Sequence, residues 1–210
     1  MSSTDWVAWH GRYADPAEGL SGRLAVVQRH IRQFLDSRAG DPQVLSLCAG
    51  DGRDVLGVLA EDPACRRVRA RLIELDPGLA RVARKSAGAA GLDGVEVVTG
   101  DASLTDAYAG AVPADLLLVC GVFGNVSDED VERTVRSLPQ LCAAGGAVVW
   151  TRHRQPPDLT PRIRAWLSEA GFAELAFDSG AGGSWAVGLH ELRRAALPLT
   201  PGKCLFTFVR

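Results

Sequence analysis

The sequence predicts an α/β fold in three layers, a mostly parallel sheet with helices on both faces and antiparallel strands at its C-terminal end. Five short apolar runs, Val44 to Leu47, Leu72 to Leu75, Val95 to Val98, Leu116 to Cys120 and Ala147 to Trp150, alternate with helical stretches, as in repeated βαβ units. The tail is different in kind: Phe172 to Phe177, Trp185 to Leu192 and Cys204 to Val209 are strand-like runs with no helix between them, which predicts antiparallel pairing. The 210 residues, 47% of them apolar, suffice to bury one core.

Taken in order, the chain begins with a short aromatic segment containing Trp6, Trp9, His10 and Tyr13, expected to fold over a site or pack on the core. From Gly19 to Arg38 the residues Leu20, Leu24, Val27, Ile31 and Phe34 recur at steps of four and three, the stripe of an amphipathic helix with Arg23, Arg29 and Arg32 on its other side. Residues 1–40 are therefore read as a lid segment with a leading helix, and residues 41–210 as the ligand-binding domain. Past Pro42 each strand is followed by a helical stretch, so right-handed crossovers place helices on both faces and gather function at the strands' carboxyl ends. Ser127 and Asp130 have capping-box spacing ahead of Val131, Val135 and Leu138, and Asp158-Leu159-Thr160-Pro161 opens a helix ending near Gly171.

Charge and composition exclude several classes. The 23 Lys and Arg are interspersed among 25 Asp and Glu for a net charge of -2, without the basic run expected of a nucleic-acid or membrane-surface protein. No stretch approaches the roughly 20 apolar residues of a bilayer span, and the N-terminus lacks the basic and apolar regions of a signal peptide, so a cytoplasmic protein is expected. Cys48, Cys65, Cys120, Cys142 and Cys204 are odd in number and show no CxxC, which argues for reduced, mostly buried thiols and against a disulfide framework or a zinc site.

The chemistry concentrates after the first strand, where VLSLCAGDGRD runs from Val44 into a loop of small residues carrying Asp51 and Asp54. A dinucleotide site and an S-adenosylmethionine site both open with strand, glycine turn and helix. The dinucleotide reading wants a third glycine where this chain has Val55, and it seats a pyrophosphate where two acids would repel it. A ligand with an ammonium and a sulfonium suits those acids better. Asp76, just past the second strand in LIELDP, is placed to accept ribose hydroxyls, and with Pro77 it also reads as a helix N-cap. Asp101, after the third strand in VVTGDA, can accept an adenine amine.

These segments resemble the class I S-adenosylmethionine-dependent methyltransferases. VLSLCAGDGRD is similar to that family's glycine-rich first motif, LIELDP to its ribose-binding acid, VVTGDA to its adenine-binding segment, and ADLLLVCGVFGN to the strand and loop bordering the transferred methyl. GGAVVWTRH, IRAWLSEAGF and the strands after them are similar to its last helix and terminal hairpin, so the resemblance spans about residues 40 to 193. It implies a Rossmann-like sheet of seven strands, with Cys204 to Val209 a candidate eighth at an edge. It also implies S-adenosylmethionine as cofactor, held by Ser46, Cys48, Ala49, Gly50, Asp51, Gly52, Asp76, Pro77, Asp101, Ala102 and Gly121. Ser46 stands where the family commonly has an acid and Cys48 where it has a glycine; a hydroxyl can hydrogen-bond an ammonium but cannot pair with it. Arg23 is a candidate for the cofactor's carboxylate and Tyr13 a candidate cover.

Methyl transfer to a small organic acceptor is the expected activity. A same-fold enzyme that cyclises or cleaves the cofactor, a non-catalytic cofactor-binding protein and a nucleotide-binding oxidoreductase are the alternatives. Trp6, Trp9, Phe123 and Asn125 are candidate acceptor contacts. His153, leaving the fifth strand, and His10, in the lid, are candidate general bases. His190 is expected to be structural and His30 to lie at the surface.

Overall fold

The computed structural model describes residues 20–209. Trp6, Trp9, His10 and Tyr13, the segment expected to fold over a site, lie outside them.

Helix α1 (Leu20–Asp36) precedes β1 (Gln43–Leu47), α2 (Arg53–Glu61), β2 (Arg69–Glu74), α3 (Pro77–Ala89), β3 (Val95–Thr99) and β4 (Ala114–Val119). Then come α4 (Asp128–Ser137), β5 (Cys142–His153), α5 (Thr160–Glu169), β6 (Phe172–Ser179) and β7 (Trp185–Leu192). The strands form a seven-stranded sheet in the order β3-β2-β1-β4-β5-β7-β6. Pairing is parallel from β3 through β5, and β7 runs antiparallel to both β5 and β6. Strand order reverses between β1 and β4, and that switch point is where an open α/β sheet offers a crevice.

Alternating strand residues supply the two faces of the core. Val44, Leu116, Leu118 and Val149 pack with Val27 and Ile31 of α1, Val55 and Leu56 of α2, and Ala80 and Ala83 of α3. Leu45, Leu47, Leu117, Val119 and Trp150 pack on the opposite face with Val131 and Val135 of α4 and with Ile163, Trp166 and Leu167 of α5. Because the central strands β1, β4 and β5 are covered on both sides, they read as continuous apolar runs in the sequence.

Two helix starts follow the expected chemistry. The Ser127 side chain accepts from the Asp130 amide at 3.2 Å, and Asp158 Oδ1 accepts from the Thr160 amide and hydroxyl at 2.9 and 2.8 Å.

Three expectations are corrected. Cys204 to Val209 adds no eighth strand; it makes isolated bridges, Leu104 with Cys204 and Val126 with Phe208. Leu205 and Phe206, adjacent in sequence, are both buried, which a strand with one packed face cannot do. β5 begins at Cys142, ahead of the glycine pair, where Cys142 pairs with Ala114 before a shift of register; Gly145 adopts a φ of +73° and a Cβ on Gly146 would lie 2.8 Å from the Asp115 carbonyl. His30 is buried: its Nε2 lies 2.7 Å from Asp178 Oδ2, while Arg29 donates to Asp178 Oδ1 at 2.7 Å, so one β6 carboxylate pins α1 to the sheet edge.

His190 is structural, as expected. Its Nδ1 accepts from Trp150 Nε1 at 3.3 Å, and burial pulls its pKa down to about 4, so the ring is neutral at physiological pH. Among the cysteines Cys65 and Cys142 are buried, Cys48 and Cys120 partly so, and Cys204 exposed. No helix among the described residues is long and apolar enough to cross a membrane.

Gly188 pairs with Trp150 in the β5–β7 ladder, and a Cβ there would sit 2.4 Å from the fully buried indole. Gly188→Ala should therefore cost about 3 kcal/mol of unfolding free energy in urea titration, the upper end of overpacking. A loss under about 0.5 kcal/mol would show that the indole can move aside.

Candidate functional site

The turn after β1 is held in left-handed backbone by Cys48 (φ +52°), Gly50 (+60°) and Gly52 (+75°). Such a φ is uncommon for a residue with a side chain, so Cys48 marks a strained position of the kind found at ligand sites. Gly52 also allows close packing: a Cβ there would lie 2.8 Å from both Leu56 and Leu72. The close approach that a third glycine would have given is thus supplied by Gly52, with Val55 buried in the core.

Glu74, the last residue of β2, ties this turn to its neighbour. One oxygen accepts from the Gly50 amide at 2.7 Å and the other from the Asp76 amide at 2.8 Å, and only 8% of the residue is exposed. Asp76 in turn caps α3, its Oδ1 accepting from the Gly78 and Leu79 amides at 2.7 and 2.9 Å. Asp101 closes an Asx turn by accepting from the Ser103 amide at 2.8 Å.

A cavity of about 390 Å3 opens over these turns at the carboxyl edge of β1 through β5, within the roughly 300–1,000 Å3 of small-molecule sites. Of the residues expected from sequence, Arg23, Cys48, Ala49, Asp51, Asp76, Pro77, Asp101, Ala102 and Gly121 line it. Ser46, Gly50 and Gly52 are buried behind it. Phe123 is fully buried, its ring 6.2 Å from that of Trp150, and supports the β4 loop from within the core. Asn125 braces the same loop by donating to the Gly121 carbonyl at 2.7 Å. His153 packs over Gly124, where a Cβ would lie 3.2 Å from its ring, and does not border the cavity.

Asp54, read from the sequence only as an acid of the first loop, lines it too, and Glu74, Leu24, Val27, Thr151 and Phe208, none of them singled out as a contact from the sequence, complete much of the lining. Glu74 carried a readable signal, a charged residue within a buried strand. Phe208 carried none, because only the tail's path brings it here. Thr151 Oγ1 accepts from the Gly121 amide at 2.9 Å, fixing the backbone at the β4 end.

The lining carries five carboxylates, Asp51, Asp54, Glu74, Asp76 and Asp101, against the guanidiniums of Arg23 and Arg53. Arg53 is engaged by Asp51, its Nε donating to both oxygens at 2.9 and 3.0 Å. Burial pushes the Asp54 carboxyl up to about 6, against backbone hydrogen bonds that lower it, with Asp51 adding a smaller upward push. The Cys48 thiol is pushed up by burial and then by the charges of Glu74 and Asp101, and the Cys120 thiol by burial and then by Asp54, so both stay protonated. Such a site favours a cation and disfavours a phosphate.

No protein-family model matches the chain, and no curated protein matches it. Solved structures do. Magnesium protoporphyrin IX methyltransferase from Synechocystis PCC 6803, with bound SAM, is similar at a TM-score of 0.68 and 14% identity, over 90% of this chain and 91% of that one. An O-methyltransferase family protein from Burkholderia thailandensis is similar at a TM-score of 0.60 and 19% identity, over 89% of this chain and 63% of that one. An O-methyltransferase family 2 protein from Planctomyces limnophilus, in complex with apigenin, is similar at 0.59 and 20%, over 82% of this chain and 59% of that one. This chain thus spans less than two thirds of the length of the latter two, and the likeness establishes a shared fold.

Replacing Glu74 by Ala removes the shared acceptor for two loop amides. Leaving such donors unsatisfied costs about 1–3 kcal/mol each, so hydrogen exchange at Gly50 and Asp76 should accelerate at least about tenfold. Unchanged exchange at both amides would show that the turn holds its shape without the carboxylate.

Proposed function

We propose that the protein transfers a methyl group from S-adenosylmethionine to a small organic acceptor. The observation that carries this reading is the cavity at the sheet's switch point with five carboxylates in its wall, a set of anionic acceptors that fits a cationic nucleoside lacking phosphate. The bound SAM and apigenin of the two neighbouring structures, and the O-methyltransferase names, support it.

In this reading Glu74 and Asp76 accept the ribose hydroxyls. Asp76 uses Oδ1 for the α3 cap, so its Oδ2 would serve the ligand. Asp101 accepts the adenine amine beside Ala102. At the other end Asp54 and Arg23, which both line the cavity with Cys120, would offer one charge of each sign to the cofactor's amino-acid zwitterion. Asp54 thereby supplies the carboxylate that Ser46 lacks. When bound, the cofactor supplies an electrophilic methyl on a sulfonium whose charge is neutralised as the methyl leaves.

The chain's own contribution is orientation and exclusion of water, and well-oriented intramolecular reactions gain about 7–11 kcal/mol from positioning. Among the described residues no histidine borders the cavity. The reading therefore favours acceptors that ionise readily, such as phenols, acids or thiols; His153 and His10 are the candidate bases for a less acidic group. It also makes this a cytoplasmic small-molecule enzyme without a nucleic-acid or membrane partner.

Incubation with methyl-labelled S-adenosylmethionine and an acceptor panel should yield S-adenosylhomocysteine and labelled acceptor in equal amounts. Methylthioadenosine or another cleavage product without labelled acceptor would favour the same fold used for a different reaction.

Asp54 gives the pH dependence its sign. The acid is raised from 3.8 to about 6, so in the empty site it is largely protonated on the acid side of that value, and binding a cation beside it must expel the proton. Affinity for S-adenosylmethionine should rise with pH up to about 6, by as much as about tenfold per unit, and then level off. Asp54→Asn should flatten the profile and weaken binding at pH 8; an identical slope in the variant would remove Asp54 from the cofactor site.

A further inference from the structure

The tail after β7 is absorbed by neither the sheet nor the cofactor reading. It turns back along α4 and the turn after it and then crosses the loops at the carboxyl edge. The Leu197 amide donates to the Pro139 carbonyl at 2.8 Å and the Thr200 amide to Gln140 Oε1 at 2.8 Å. Thr105 and Lys203 exchange bonds of 2.9 Å, and the Leu205 amide donates to the Ser103 carbonyl at 2.8 Å. The Thr207 amide donates to Asp130 Oδ2 at 2.7 Å, and the Val209 amide to the Asn125 carbonyl at 2.9 Å. Leu205 and Phe206 are buried in the core as anchors, and the Leu205 carbonyl accepts from Arg133 Nε at 3.0 Å.

Residues 204–209 of this strap are held at both ends, by the loop after β3 and by the loop after β4. Between those ties Phe208 borders the cavity, 37% exposed, its ring edge-on to Phe206 with centroids 5.5 Å apart. Its bridge to Val126 and the Val209–Asn125 bond tie it to the loop after β4, and β4 flanks β1 on the side opposite β2, the strand that ends at Glu74. A large apolar side chain held by backbone bonds on both sides is a fixed wall, and an aromatic ring offers a face or edge to another flat ring.

We propose that Phe208 is a specificity-determining residue that forms the acceptor-side wall of the cavity and selects planar aromatic acceptors. The inference rests on the methyl-transfer reading. It assigns the acceptor subsite to the carboxyl-terminal strap, with Gly121, Cys120 and Thr151 as its floor.

The test uses the full chain, wild type and Phe208→Ala, with Phe208→Tyr as the conservative variant. Calorimetry first measures S-adenosylhomocysteine, and the loaded protein is then titrated with planar phenols (2-naphthol, caffeic acid, apigenin) and with aliphatic amines (sarcosine, ethanolamine). Expected is a planar phenol bound by wild type in preference to either amine, weakened about tenfold in Phe208→Ala and restored in Phe208→Tyr, with S-adenosylhomocysteine affinity within about twofold throughout. Nucleoside binding without any bound planar phenol, or phenol affinity indifferent to Phe208→Ala, overturns the inference and leaves the cofactor reading standing. Failure of the wild type to bind S-adenosylhomocysteine overturns both.

Discussion

The Glu74 carboxylate joins the two turns on which the cavity depends. Its oxygens accept from the Gly50 and Asp76 amides, so the glycine turn after β1 and the acidic turn after β2 are set relative to each other by one side chain. The geometry needs an acceptor that is buried and doubly competent, and a carboxylate at the end of a central strand meets both conditions. Asp76 then starts α3, Gly52 lets α2 approach β2, and the Gly100 amide bonds the Glu74 carbonyl at 2.9 Å to bring up the turn after β3. Three turns are thus tied to one residue, two through its carboxylate and one through its backbone carbonyl.

Their charges follow from the same arrangement. Backbone amides of the turns are satisfied by Glu74, Asp76 and Asp101 within the protein, so the crevice presents carboxylates where a phosphate site would present free amides. Burial makes ionised Asp54 costly in the empty protein, which is the condition under which a cationic ligand gains most from it. The arginines do not reverse this balance, since Asp51 holds Arg53 along its edge.

Much of this was legible in the chain. Apolar runs bounded by small residues located the central strands β1, β4 and β5 because these are packed on two faces, and Trp185 to Leu192 was read to the residue. Asp76, Asp101 and the glycine turn were legible because strand ends in a parallel sheet converge on one edge. What sequence could not show came from distant pairings. His30 looks exposed until Asp178, 148 positions away, arrives beside it. Phe208 looks like a strand residue until Leu205 and Phe206 anchor the tail beneath α4. Phe123 sits in a loop that would suit a pocket wall, yet the β4 chain turns it into the core against Trp150. Ser46 is buried within β1, where both faces are covered, and the carboxylate for the cofactor's ammonium is sought instead at Asp54.

Whether the cavity takes a cationic nucleoside is decided most directly by calorimetric titration of the protein with S-adenosylmethionine, S-adenosylhomocysteine, NADH and ATP, repeated with Asp76→Ala. Binding of the first two alone is expected, weakened roughly ten- to a hundredfold by the substitution, as befits loss of a charge-assisted hydrogen bond worth about 1.5–3 kcal/mol. Binding of NADH or ATP in their place, or S-adenosylmethionine binding indifferent to Asp76→Ala, would contradict the assignment of this edge as the cofactor site.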